Sequence, residues 1–383
     1  MLGKRATLLL LAGALALPAL AAARIAPGAA ASPVSAIQRR ALTADVAEYF
    51  FTVRVGSGPY DQIGVHRVVK ETAPNAPVHA PRAVFLAAGD IWNFRAAFLT
   101  GAKPIPVFLA ENGIDVWGID YRWTFVPASV TDLSFMKDWG IERDAHDLGA
   151  AIGVARVTRA LTGSGLGKIF LLGWSRGGQI GYAYLNDETR LPSALRQVKG
   201  FIPVDIYLKT DVPELQARAC RREQATEAAI AQGSYAATSG GLIEAIGAAA
   251  VADPNGASAI LPGFTNRQAG LFVGEETFAL LGGLEPAPFY HFTGGTFDAQ
   301  GAPSGLLYSG EQDLFHFEIA AAPCQPNREL ADADKATCGQ HDVPFDDRLA
   351  QIKVPVLYVG AGGGFGELGI YTTTLLGSTD VTT

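Results

Sequence analysis

The chain has 383 residues, of which 49% are hydrophobic and 17% are charged, and its formal net charge at pH 7 is −7. This length suits one large domain with an insertion, or two domains, and the composition is that of a globular protein. The negative charge, together with the lack of a basic run, argues against nucleic acid as a partner.

The N-terminus has the pattern of an export signal. Lys4 and Arg5 precede an apolar run, Ala6 to Leu20, and small residues follow as far as Ala23. This pattern predicts a signal peptide over residues 1–23, too short and too proline-interrupted to remain as a membrane span. We therefore expect a secreted or periplasmic protein without a stable membrane span. Residues 24–44 are expected to form a flexible leader.

The strand signals that follow describe a sheet. Alternating, β-rich residues at Glu48–Val55 and Val65–Lys70 predict an antiparallel opening pair. Buried-looking apolar runs predict parallel strands covered on both faces; they are Ala83–Ala87, Asp115–Ile119, Ile169–Leu172, Gly200–Val204 and Pro355–Val359. A helical pattern at Glu142–Leu161 separates two of them. The order predicts an α/β fold with a mostly parallel, doubly wound sheet and helices on both faces.

The third of these runs leads directly into a G-x-S-x-G motif, Gly173 to Gly177. This motif forms the nucleophile elbow, a sharp strand-to-helix turn that exposes one serine above the sheet. Side chains at either glycine would collide with the neighbouring strand or helix. Ser175 is therefore the candidate covalent nucleophile.

The segment 207–349 breaks the alternation of strands and helices. It contains helix-like pieces at Glu223–Ala231, Leu242–Ala252 and Arg267–Leu281, and aromatic loops rich in glycine and proline. We predict a cap inserted into a core made of residues 45–206 and 350–383. The last part of that core is expected to be incomplete, because residues 378–383 have the pattern of a strand that is only beginning.

Three cysteines are present: Cys220, Cys324 and Cys338. In an exported protein, the two that are closest in sequence, Cys324 and Cys338, are expected to form a disulfide, which leaves Cys220 over. A zinc site using Cys338 and His341 would need a second half that the sequence does not offer. No metal and no cofactor are expected.

Taken together, the elbow, the opening strand pair, the five parallel strands and the insertion resemble the α/β-hydrolase family over most of the mature chain. The resemblance implies that Ser175 attacks an acyl carbon while a histidine, oriented by an acid, takes its proton. The oxyanion would be held by the backbone N–H of Arg176 and by that of Asp90 or its neighbour, in the loop after the first parallel strand. Trp92 and Trp174 flank this position and are expected to line the substrate pocket.

The chain departs from the family in its acid and its histidine. The family order is serine, acid, then a late histidine, but no histidine follows His341. The expectation is a chain truncated at its C-terminus, with His316 and His341 as weaker substitutes and no supporting context for His291. Asp205, after the fourth parallel strand, and Glu367, after the fifth, are equally open as the acid.

The sequence thus predicts an exported serine hydrolase acting on a small ester or related acyl substrate. The alternative is a catalytically inactive protein of the same fold that binds a small apolar ligand or a partner. The absent late histidine is the observation that supports this alternative.

Overall fold

The computed structural model describes residues 33–281 and 290–383, so the predicted signal peptide, residues 1–23, lies outside the described residues. The strands are β1 (Gln38–Ala41), β2 (Val46–Arg54), β3 (Gln62–Ala73), β4 (Ala76–Pro77), β5 (Arg82–Ala87), β6 (Ile114–Asp120), β7 (Ile169–Trp174), β8 (Val198–Val204), β9 (Ala236–Ala237), β10 (Gly295–Phe297), β11 (Pro303–Leu306), β12 (Gln325–Pro326), β13 (Val356–Leu357) and β14 (Val381–Thr382). The α-helices are α1 (Phe94–Leu99), α2 (Ile105–Glu111), α3 (Ile141–Leu161), α4 (Arg176–Glu188), α5 (Pro213–Ala231), α6 (Ser239–Ala252), α7 (Asn266–Glu275), α8 (Thr277–Leu281), α9 (Glu311–Ile319), α10 (Asn327–Cys338) and α11 (Ile370–Thr374).

The central sheet has the order β1-β2-β3-β6-β5-β7-β8-β13-β14, with β4 paired to β3. The pairs from β1 to β6 are antiparallel, and those from β6 to β14 are parallel. The predicted opening pair and the five parallel strands are confirmed. Strand β5 lies between β6 and β7 in the sheet. The chain therefore continues from β5 to its neighbour on one side, β6, and then forms β7 on the other side of β5. The carboxyl ends of β5 and β7 therefore border the switch point where such sheets bind ligands.

The alternation of side chains along β5 explains why both faces of the sheet are covered. Phe85 lies in a core with residues of α3 and α4. Its neighbours Val84 and Leu86 point to the opposite face and lie in a core with residues of α1 and α2. Successive side chains of a strand point to opposite faces, so an apolar run can bury both. The prediction of a mostly parallel sheet with helices on both faces is confirmed.

The predicted flexible leader, residues 24–44, is wrong for the part that the structure describes. Strand β1 pairs antiparallel with β2, and the backbone N–H of Arg54 donates to the carbonyl of Pro33 at 2.8 Å. The reason is that β1 is an edge strand of sequence Gln-Arg-Arg-Ala, whose side chains are mostly exposed. Charged edge strands lack the apolar alternation from which strands are predicted.

The segment 207–349 runs from just after β8 to the first residue of the 3-10 helix Leu349–Gln351, which precedes β13. Helix α5 begins at Pro213, earlier than predicted, and α9 and α10 were not predicted as helices. Helices α5 and α10 pack against each other and are joined by a disulfide. Across residues 33–281 and 290–383, no helix has both the length and the apolar character that crossing a membrane requires.

Candidate active site

Ser175 occupies the turn between β7 and α4 with φ 53° and ψ −126°, a conformation that non-glycine residues rarely adopt. A Cβ at Gly173 would lie 2.3 Å from the carbonyl oxygen of Gly177. A Cβ at Gly177 would lie 2.3 Å from the carbonyl oxygen of Ala87. The steric prediction for both glycines is confirmed. The turn presents Ser175 at the carboxyl edge of the sheet.

The loop that follows β5 runs directly beside this serine. A Cβ at Gly89 would lie 2.9 Å from the Cβ of Ser175 and 3.3 Å from its Oγ. Arg176 is the first residue of α4, and the first N–H groups of a helix have no acceptor within it. The structure therefore brings the two segments named as oxyanion donors, at Asp90 and Arg176, to the same serine.

The side chains of these two residues link three parts of the molecule. The Arg176 Nε donates to the Asp90 Oδ1 at 2.8 Å, and the amide of Gln325 donates to the same carboxylate. The Arg176 Nε also lies 3.8 Å from the Oε1 of Glu329, whose side chain is fully buried. Burial raises the pKa of Glu329 to about 8. Helix α4, the loop after β5 and the start of α10 thus share one polar network next to the nucleophile.

Asp205 follows β8, the neighbour of the elbow strand, and the backbone N–H of Ser175 donates to the carbonyl of Val204 at 2.9 Å. The Asp205 carboxylate is buried. Its Oδ1 accepts the N–H groups of Ala361 at 3.0 Å and Phe365 at 2.8 Å. Burial raises the pKa of Asp205, and the backbone hydrogen bonds oppose that rise. Of the two acids considered from the sequence, the structure places this one beside the elbow.

The sequence interpretation missed His291. Its backbone N–H donates to the carbonyl of Gly363 at 3.0 Å. Its imidazole lies so close to that glycine that a Cβ there would meet the ring Nε2 at 2.1 Å. Burial lowers the pKa of His291, and the charge of Asp205 opposes the shift. The imidazole is therefore biased toward its neutral form, which can accept a proton.

Along the chain, Ser175 is followed by Asp205 and then by His291. The sequence interpretation expected a histidine near the end of the chain, and therefore gave no weight to His291 in the 207–349 segment.

The remaining candidates lie elsewhere. Glu367 is exposed in the 3-10 helix Gly366–Gly369. His316 is exposed on α9, and its Nδ1 lies 2.6 Å from the carbonyl of Gln312. His341 is exposed after α10. Among the described residues, neither these three side chains nor Asp205 and His291 line the cavities that border Ser175.

Ser175 borders a cavity of about 320 Å³. Trp92 and Trp174, the two predicted pocket residues, both line it, together with Tyr290 and Phe292 on either side of His291. Its remaining lining comes mainly from the elbow, the loop after β5, and α5 and α10; it includes Asp90, Ile91, Arg176, Arg222, Ala225, Thr226, Leu330 and Asp334. The volume, and walls that combine aromatic with polar and charged side chains, are suited to a small molecule.

The charges that line this cavity occur in pairs. Arg176 is paired with Asp90, and the Arg222 Nε donates to the Asp334 Oδ1 at 3.1 Å. Each pair brings one positive and one negative group to the wall. The cavity is therefore suited to an uncharged substrate.

The predicted Cys324–Cys338 disulfide is wrong. Cys220 is bonded to Cys338, with the two Cα atoms 4.8 Å apart, and Cys324 is a buried free thiol. The reason is α10, a helix of 12 residues that separates Cys324 from Cys338. A helix of that length spans about 18 Å, whereas disulfide-bonded Cα atoms lie within about 7 Å. Cys220, which the sequence prediction left without a partner, is therefore the residue bonded to Cys338.

Within the described part of the chain, no group of three or more His, Cys, Asp or Glu side chains is arranged to hold a metal ion. No family model and no curated relative matches the sequence. Solved structures do resemble the fold. A Sulfolobus solfataricus protein with a provisional lipase assignment has a TM-score of 0.59 at 20% identity, covering 90% of this chain and 89% of its own.

Two further solved structures are similar at lower scores. A thermophilic esterase from Thermogutta terrifontis has a TM-score of 0.40 at 15% identity, covering 90% of this chain and 89% of its own. A soluble variant of the Saccharomyces cerevisiae monoglyceride lipase has a TM-score of 0.42 at 13% identity, covering 93% of this chain and 88% of its own.

Proposed function

Because the chain has the α/β-hydrolase fold, we propose that it is a serine hydrolase of small ester substrates, with Ser175 as nucleophile, His291 as general base and Asp205 as the orienting acid. One observation carries the proposal. The strained serine borders a small-molecule cavity, and Asp205, which follows the neighbouring strand, packs against the same glycine-rich run as the His291 imidazole.

The reaction proposed for these groups has two halves. In the first, the Ser175 Oγ attacks the ester carbonyl, and His291 accepts its proton. The backbone N–H groups of Arg176 and of the loop at Asp90 hold the negative oxygen, and such donors are worth about 10²–10³ in rate. His291 then protonates the leaving alcohol. In the second half, water attacks the acyl-enzyme and His291 takes the proton of the water. His291 then returns this proton to the Ser175 Oγ as the acid product departs.

The alternative of an inactive binding protein was motivated by the missing late histidine. His291 weakens that motive, because its imidazole packs against Gly363, next to the Gly364 that the Asp205 carboxylate contacts. We also propose that the protein is exported through residues 1–23. The Cys220–Cys338 disulfide supports export, since such bonds persist in oxidising compartments.

Three variants and two matched controls test the function with p-nitrophenyl butyrate. Ser175→Ala should lower kcat by about 10⁴-fold or more, and His291→Ala and Asp205→Asn by about 10²–10⁴-fold, as in other triads. His146→Ala and Glu367→Gln alter an exposed histidine and an exposed acid, and both should retain activity within about twofold, as surface changes usually do.

A fluorophosphonate probe gives an independent readout, because it labels only an activated serine. It should modify the wild-type protein at Ser175 and leave Ser175→Ala unmodified. Retained hydrolysis in Ser175→Ala would refute the function itself. If Ser175→Ala loses hydrolysis but His291→Ala keeps full activity, Ser175 remains the nucleophile and His291 is refuted as the general base.

A further inference from the structure

The loop after β5, which carries the proposed oxyanion donor at Asp90, contains a strained residue. Ile91 has φ 56°, and a positive φ is rare for a β-branched residue because its Cβ crowds the backbone. Such a conformation persists only where the surrounding structure holds it, and residues of this kind cluster at functional sites. The contacts that hold Ile91 therefore also determine where the neighbouring N–H of Asp90 points.

Two neighbouring residues of the 207–349 segment hold this strained loop through backbone contacts. The N–H of Ala322 donates to the carbonyl of Ile91 at 2.7 Å. Ala321 forms an antiparallel bridge with Trp92, the next residue of the loop. The conformation of the loop after β5 therefore depends on a part of the chain that is distant from it in sequence.

Gln325, which follows shortly after them, reaches the side chain of the proposed oxyanion residue itself. Its amide nitrogen donates to the Asp90 Oδ1 and, at 3.2 Å, to the Glu329 Oε2. This nitrogen carries two hydrogens, and the two carboxyl groups take up both. Gln325 is 3% exposed, and its backbone pairs with Ala237 of β9. The amide is therefore held in place by its own surroundings while it holds Asp90.

The Asp90 carboxylate also connects the first proposed oxyanion donor to the second. Its Oδ1 accepts the Arg176 Nε at 2.8 Å in addition to the Gln325 amide. One oxygen thus joins α4, the loop after β5 and the 207–349 segment. Oxyanion donors stabilise the transition state only when they lie about 2.7–3.1 Å from the oxygen that they bind. A contact that fixes both donor segments therefore affects the rate.

We infer that Gln325 is a positioning residue of the oxyanion hole. By holding the Asp90 carboxylate between itself and Arg176, it fixes the distance between the two backbone N–H groups that bind the oxyanion. This inference rests on the proposed function, which supplies the ester and the nucleophile Ser175. Gln325 is assigned no contact with the reacting atoms, and its effect on the reaction passes through Asp90.

Gln325→Met tests the inference, because methionine has a similar length and no N–H to donate. With p-nitrophenyl butyrate, kcat should fall about 10–100-fold, less than the 10²–10³ lost with an entire donor. KM should stay within about twofold, because the oxyanion exists only after the attack. Unchanged kcat, or a change confined to KM, would overturn the inference.

Asn327→Leu is the matched control. It removes another buried amide of the same region, one whose nitrogen donates to the carbonyl of Ser234 at 3.0 Å and not to the loop after β5. Its kcat should stay within about twofold of the wild type, because this amide holds neither oxyanion donor. A loss of kcat in Asn327→Leu equal to that in Gln325→Met would show a general packing effect and overturn the inference.

A double-mutant cycle with Asp90→Ala separates positioning from general destabilisation. The Asp90 side chain is 37% exposed, so this variant tests the same contact even if Gln325→Met does not fold. Its kcat should fall at least tenfold, and unchanged kcat would overturn the inference. Because Gln325 acts through Asp90, adding Gln325→Met to Asp90→Ala should lower kcat by less than about twofold. A full multiplicative loss in the double variant would also overturn it.

A trifluoromethyl ketone inhibitor measures the same contact without turnover. The Ser175 Oγ adds to its carbonyl carbon and passes its proton to His291, and the former carbonyl oxygen becomes an oxyanion. The inhibition constant for Gln325→Met should rise by about the factor by which kcat/KM falls, and an unchanged constant would overturn the inference. Hydrolysis retained in Ser175→Ala would refute the proposed function, whereas hydrolysis lost in Ser175→Ala with wild-type kcat in Gln325→Met would refute the positioning role alone.

Discussion

The Cys220–Cys338 disulfide closes a loop of 118 residues that contains most of the 207–349 segment. Removing both sulfurs by Cys220→Ala and Cys338→Ala should destabilise the protein through the unfolded chain, which gains the freedom that the cross-link removes. For a loop of this length the chain-entropy relation gives about 16 cal/mol/K, or about 4.9 kcal/mol at 25 °C. That is a large part of the 5–15 kcal/mol, roughly, by which domains are stable.

The assay is equilibrium unfolding in urea, followed by tryptophan fluorescence and far-ultraviolet circular dichroism, without reductant. The double variant should lose about 5 kcal/mol in the free energy of unfolding. Cys324→Ala is the matched control, because Cys324 is buried but unbonded, and it should lose less than about 2 kcal/mol.

Two results would refute this reasoning. A double variant within 1 kcal/mol of the wild type would show that the loop does not constrain the unfolded chain. A loss of about 5 kcal/mol in Cys324→Ala would show that Cys324 is bonded instead. The Arg222–Asp334 and Arg328–Glu227 ion pairs still join α5 to α10, so ester hydrolysis by the double variant at 25 °C should persist while its thermal midpoint falls.

Two buried carboxylates predict opposite pH dependences of stability, both measurable by urea unfolding. Burial raises the pKa of Glu329 from 4.5 to about 8. The unfolded chain therefore loses this proton first, and the free energy of unfolding should fall as pH rises from 4.5 to 8, a fall that Glu329→Gln should remove. For Glu48, burial acts to raise the pKa, but hydrogen bonds from His66 and Arg95 outweigh it and lower the pKa to about 2. The stabilisation by Glu48 is present above pH 4.5 and is lost as pH falls toward 2, so Glu48→Gln should reduce the loss of unfolding free energy in acid. An unchanged pH dependence of the unfolding free energy in either variant would contradict the pKa shift of the residue it replaces.

The parallel core could be predicted because its strands are apolar on both faces, and this pattern needs no knowledge of tertiary contacts. Helix α10 could not be predicted in this way. Its buried side chains are polar (Asn327, Glu329, Asp334 and Thr337) or small (Ala331, Ala333, Ala336 and Cys338), so its packed face has no large apolar side chain to indicate a helix. The hydrogen-bond partners of these buried polar groups, such as Gln325 for Glu329, are brought together only by tertiary packing. The disulfide pairing failed for the same reason, since the helix that separates Cys324 from Cys338 was not recognised.

The candidate acid and base illustrate the same limit at the site. Glu367 was considered as the acid because it is the first carboxylate after β13, beyond a glycine-rich run. In the structure a Cβ at Gly363 would meet the His291 Nε2 at 2.1 Å, and one at Gly364 would meet the Asp205 Oδ2 at 1.9 Å. The run is therefore the surface against which the carboxylate and the imidazole both pack, and side chains there would displace them. The glycines that place Glu367 late in the sequence are thus the residues that leave room for the Asp205 carboxylate, which follows β8, and for the His291 imidazole of the 207–349 segment.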